Sequence, residues 1–138
     1  MLKFNNKEPY PLHRLPFIGG KSKNLAGLNF WNVPATGGYE GGNMTGNAMA
    51  WLWLKHIEAN GPEGVPGVLS RMVMEIANAK SKSVNGQIVG FFEVIETVIS
   101  KLITDYKIHF TKDEISLLEQ ANSGISHTEN EVRDDIHQ

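Results

Sequence analysis

The chain contains no cysteine. That absence removes disulfides, zinc ribbons, thiol nucleophiles and cysteine-ligated clusters together, and it suits a reducing compartment. Long apolar runs are also missing. The longest, Ala48–Leu54, is far short of the roughly 20 residues a membrane span needs, and no apolar leader opens the sequence. A cytoplasmic protein with no membrane attachment is the expectation, and the sequon Asn43-Met44-Thr45 then has no glycosylating enzyme to meet. An excess of positive charge is lacking as well. With 13 Lys+Arg against 15 Asp+Glu the formal net charge is -2, so no overall basic field exists to hold a long nucleic acid.

Several chemistries lack their parts. The five histidines, His13, His56, His109, His127 and His137, show neither H-x-x-x-H nor H-x-H spacing, so no metal site is expected. Glu93 and Glu96 share a helix face but have no Glu-x-x-His partners, as a dinuclear carboxylate centre requires. There is no G-x-S-x-G elbow, and Ser70 and Ser100 fall in predicted helices without an adjacent activating base. The sequence therefore nominates no catalytic residue and no cofactor. An enzyme would have to draw on scattered groups in the N-terminal third, with His13 as its best base.

What is present is ordinary globular material. The chain has 138 residues, 41% of them hydrophobic and 20% charged, which suits one domain. Residues 1–47 hold eight of the 14 glycines and four of the six prolines, so residues 1–44 read as an irregular arm rather than a regular element. The arm also carries Phe4, Tyr10, Phe17, Phe30, Trp31 and Tyr39, more aromatic surface than a disordered linker has, and it is expected to pack onto helices. Leu28–Val33 is the one stretch that reads as a strand, and its alternation fails at Phe30-Trp31.

From residue 45 the pattern turns helical. A first helix over about 46–60 starts at Thr45 as cap and stops at Asn60-Gly61-Pro62. Its apolar middle places Trp51 and Trp53 on opposite sides, about 200° apart, so one belongs in the core and the other at the arm or at a second chain. A second helix over about 66–80 opens on Pro66. The third, over about 85–106, follows Ser81-Lys82-Ser83 as a linker and has an apolar arc wider than one core face requires. Thr111 and Glu114 form a capping box for a fourth over about 112–122. The fold expected is mainly α, three to four packed helices with the Gly/Pro/aromatic arm wrapped over a helical core (45–122), at most a minor β element, and an acidic flexible tail over 123–138.

Two glycine clusters invite a functional reading. Gly19-Gly20-Lys21-Ser22 ends like a phosphate-binding loop, but Leu15 stands where the first glycine belongs, and a plain turn explains it as well. The stretch from Gly37 to Gly46 leads into the first helix, where orphan N–H groups and the positive dipole end favour an anion. Residues 1–47 carry five basic and two acidic side chains, a net +3. The expected ligand set is accordingly Arg14, Lys21, Trp31, Gly38, Tyr39, Gly41, Gly42, Asn43 and Thr45, with His13, Lys23 and Phe30 nearby in sequence. The bland reading of the same glycines is a turn that needs positive φ, and that of Phe30 and Trp31 is core packing.

The function this supports is non-enzymatic capture of a phosphate-containing small molecule or nucleotide at the glycine-rich helix start. The alternative is a regulatory or inhibitory protein-interaction module, as small accessory proteins of phages and mobile elements often are. Wide apolar arcs on the first and third helices favour a homo-oligomer in either case.

Overall fold

The computed structural model describes residues 2–5, 14–23, 25–62, 67–77, 79 and 81–128. Its element order is α1 (Gly38–Asn60), α2 (Val68–Ile76), α3 (Lys82–Asp105) and α4 (Glu114–Ile125). The protein is mainly α, and among the described residues there is no strand. No helix among them is long and apolar enough to cross a membrane. The chain divides into two compact units, residues 1–101 and 102–138.

In the first unit, α1 begins at Gly38, well before the start expected near Thr45. The cause is tertiary. Gly42 and Gly46 on α1 face Gly86 and Gly90 on α3, two Gly-x-x-x-Gly pairs that let the backbones touch. A Cβ placed on Gly42 would come closer than 3.0 Å to the Ser83 carbonyl oxygen, and one on Gly46 would do the same to the Gln87 carbonyl. Reciprocally, Gly86 meets the Tyr39 carbonyl and Gly90 the Asn43 carbonyl. Close packing thus offsets the roughly 1 kcal/mol per residue by which glycine disfavours a helix. Thr45 sits inside the helix, where its hydroxyl donates to the Gly41 carbonyl at 3.0 Å instead of capping anything. The N-cap is Gly37, with φ 97°.

The remaining helix limits have local causes. Ser81-Lys82-Ser83 is the start of α3 rather than a linker, because Ser81 Oγ accepts from the Val84 N–H at 2.9 Å, a standard N-cap bond. Gly67 caps α2 with φ 72°, while Pro66 lies outside the described residues. The expected strand over 28–33 does not form. Leu28 makes a single antiparallel bridge to Lys21, after which Asn29 Oδ1 accepts from the Trp31 N–H at 2.8 Å and turns the chain so that both Phe30 and Trp31 are buried. Arg71 on α2 pins this turn, donating to the Ala26 carbonyl at 2.8 Å with its guanidinium 5.0 Å from the Phe30 ring centroid.

The arm contributes to the core as its aromatics suggested. Leu15, Phe17, Ile18, Phe30 and Trp31 are buried with Met49 and Trp53 of α1, Val68, Met72 and Ile76 of α2, and Val84, Phe91 and Val94 of α3. The tryptophan pair divides as its spacing required, Trp53 being buried and Trp51 50% exposed. Among the described residues one polar side chain, Gln87, is fully enclosed. Gln87 accepts from Trp31 Nε1 at 2.9 Å and donates to the Pro34 carbonyl at 2.9 Å, tying arm to α3. Gln87→Leu is expected to cost about 2 kcal/mol, since it strands the buried indole N–H while Pro34, at the surface, turns to water. Urea unfolding followed by tryptophan emission measures this.

The second unit contains the last residues of α3 and α4. Asp113, and not Thr111, is the N-cap of α4, its Oδ2 accepting from the Ser116 N–H at 2.9 Å. A carboxylate there also opposes the positive end of the dipole. The helix runs to Ile125, past the boundary expected at 122. None of its residues is buried. The rest of the expected acidic tail, residues 129–138, lies outside the described residues.

Candidate functional site

The structure does not bring the nine predicted ligand residues together. Gly42 is consumed by the α1–α3 seam, and the Tyr39 and Asn43 carbonyls fill the other side of it. Gly38 donates its N–H to Ser83 Oγ at 3.0 Å, which satisfies one of the orphan donors that an anion was expected to take. Gly41 is open but sits within the helix, and Thr45 is turned back on it. Trp31 is in the core with its N–H bonded to Gln87. Lys21 is exposed in the turn that closes on Leu28, Ser22 N–H donating to the Gly27 carbonyl at 2.9 Å. That is the plain turn, with a serine hydroxyl accepting from the Leu25 N–H, and not a phosphate cradle. His13 lies outside the described residues.

Arg14 is the exception. It lines a cavity of about 150 Å³ with Phe4, Leu15, Leu52, Lys55, His56, Ala59 and Asn60. Its guanidinium carbon stands 4.1 Å from the Phe4 ring centroid, a cation–π arrangement that fixes the plane of the head group. Its Nε is buried and has no hydrogen-bond partner. A buried, unsatisfied donor on a permanent cation costs free energy. Among the described residues the wall around it contains two full cations and no carboxylate, which favours a partner of negative sign.

The opposite wall is one face of α1. Leu52, Lys55, His56, Ala59 and Asn60 follow i, i+3, i+4, i+7, i+8, which aligns them along the last turns of the helix. Asn60 Nδ2 donates to the His56 carbonyl at 3.0 Å and sits 3.2 Å from His56 Nδ1. The bond to the carbonyl orients the Asn60 amide beside the His56 ring. The arm supplies the other wall. Asn5 Nδ2 donates to the carbonyls of Leu15 and Ile18 at 3.0 and 2.7 Å, and its N–H donates to the Arg14 carbonyl at 3.4 Å, so Phe4 and Arg14 are anchored next to one another.

Sequence reasoning named Arg14 and missed Phe4, Lys55, His56 and Asn60. The signal was available in the polar i, i+4 pair His56 and Asn60 after the apolar middle of the helix, but Asn60 was read only as part of the helix end. Among the described residues no group of three or more histidine, aspartate or glutamate side chains is placed to hold a metal ion. No protein-family model, curated protein or solved structure matches the chain.

Proposed function

We propose that this is a binding protein for a small oxyanion, a phosphate or the phosphate end of a small metabolite, taken up in the cavity between the arm and the end of α1. The observation that carries the reading is the buried Arg14 Nε without a partner in a cavity walled by a second cation, Lys55, and, among the described residues, by no acid. Arg14 would hold the ligand by charge-assisted bonds from its planar fork, and Lys55 would add a mobile point charge at the rim. Size narrows the ligand. Pockets that hold drug-sized molecules measure about 300–1,000 Å³, so a cavity of about 150 Å³ suits one tetrahedral oxyanion and leaves a nucleoside outside. Among the described residues the lining also lacks serine, threonine and carboxylates, which favours holding a ligand over transforming it.

Isothermal calorimetry with inorganic phosphate, sulfate and a short series of phosphomonoesters tests this. Binding is expected to weaken as salt rises, because Lys55 is exposed and its attraction is screened. Arg14→Met keeps an apolar stem over Phe4 and removes the charge; its expected effect is a loss of about 10- to 100-fold, the worth of a hydrogen bond to a charged group. Lys55→Ala is expected to lose less and to flatten the salt dependence. If no oxyanion binds below millimolar, or if Arg14→Met binds as the parent does, the reading is wrong.

A further inference from the structure

Among the described residues that line the oxyanion cavity, His56 is the one histidine. It is 6% exposed, so its ring meets solvent chiefly by way of whatever occupies that space. Histidine is the side chain whose ordinary charge change falls between pH 5 and 8, whereas an arginine and, ordinarily, a lysine keep their charge throughout that range. The three basic groups of the wall therefore differ in kind. Two supply charge at any physiological pH, and the third can supply it on demand.

The charged groups that line the cavity with His56, among the described residues, are Arg14 of the arm and Lys55 of α1; α2 and α3 contribute none. An anion held in about 150 Å³ cannot sit far from any of its lining groups, and an opposite charge within roughly 4–6 Å favours the charged form of a titratable group. A bound oxyanion accordingly favours the imidazolium form of His56 more than the empty cavity does. Neighbouring polar geometry accepts that change. The Asn60 amide lies 3.2 Å from His56 Nδ1, and with a donor at one end and an acceptor at the other it can face the ring in either charge state.

Resting on the oxyanion reading of this cavity, we infer that binding is coupled to protonation of His56: the ring takes one proton from solvent as the anion enters and returns it as the anion leaves. The sign follows from linkage. The anion prefers the protonated ring, so affinity is greatest at low pH and falls as pH rises through the range in which the ring loses its proton. The protein would take up its ligand where protons are plentiful and release it where they are scarce.

The test is calorimetry of the full-length chain with sodium sulfate, which has no proton of its own to exchange in this range, at constant ionic strength and in buffers of different ionisation enthalpy. Sulfate is expected to bind about tenfold more tightly at pH 6 than at pH 8, with net proton uptake of roughly one-half to one per sulfate near pH 7. His56→Gln is expected to remove most of the uptake and flatten the pH dependence. His13→Gln, which alters the histidine next to Arg14 in sequence, is expected to keep both. Nuclear magnetic resonance of the labelled parent needs no substitution: the titration midpoint of the His56 ring is expected to move to higher pH when sulfate is added. Sulfate binding without proton uptake, uptake that survives His56→Gln or vanishes with His13→Gln, or a His56 midpoint indifferent to sulfate would each overturn the coupling and leave the oxyanion site standing. Absence of sulfate binding at both pH values would overturn the two together.

Discussion

Gly46→Ala is expected to destabilise the first unit by about 3 kcal/mol, the upper end of what overpacking a close-packed contact costs. For a domain of this size that lowers the melting temperature by roughly 12 °C or more. The sign is the informative part, because alanine at an unhindered helical glycine raises stability by about 0.5–1 kcal/mol. Gly41 is such a position, in the same helix with nothing within 4 Å of a new Cβ, and Gly41→Ala is expected to be mildly stabilising. At Gly46 the obstacle is the Gln87 backbone carbonyl, which has no rotamer to change, so α1 and α3 must move apart along their whole seam. Calorimetric melting of the two variants side by side measures the contrast. Equal shifts of one sign would mean that the helices do not meet backbone to backbone.

Phe91→Ala is expected to cost about 3–5 kcal/mol, as truncation of a fully enclosed ring does. Phe91 is 0% exposed and is the hub of the aromatic core: its centroid lies 5.6 Å from Trp31, 6.1 Å from Phe17, 6.2 Å from Trp53 and 5.5 Å from Phe92. Three separate pieces of chain, the arm, α1 and α3, lean on that one ring. The void left by alanine cannot close by a local shift, because each neighbour is held elsewhere, Trp31 by Gln87 and α1 by the glycine seam. Phe91→Leu refills much of the volume and is expected to recover about half the loss. Near-ultraviolet circular dichroism through a urea titration gives both the midpoint and the loss of aromatic asymmetry.

Much of this architecture was legible in the sequence. Periodicity located all four helices, and the 200° separation of Trp51 from Trp53 predicted that one would be buried and the other not. The wealth of aromatics in the arm was enough to read it as core-forming. The misreadings share a cause. Glycine was taken as a breaker in 37–46 because its local preference is against the helix, whereas here the absence of a side chain is what a second helix requires, and that partner is some forty residues away. Leu28–Val33 was weighed as a strand on composition, and the Asn29 side chain settled its path instead. The ligand residues were sought along one stretch of chain. Of the nine, Arg14 lines the cavity described above, since a cavity collects residues by folding, and Phe4, Arg14 and the 55–60 face of α1 have no common stretch to betray them.

The glycine seam also makes α1 a lever. Its fulcrum is fixed where the Tyr39 and Asn43 carbonyls rest in the notches of α3, and the cavity wall is carried on the opposite end of the same rod. At 1.5 Å per residue, Asn60 stands about 21 Å beyond Gly46, so a tilt of about 5° at the fulcrum swings that end by nearly 2 Å. A displacement of that size is a large fraction of a hydrogen-bond length. A shift of α1 at the two glycine pairs would in this way move Lys55 and His56 relative to Arg14.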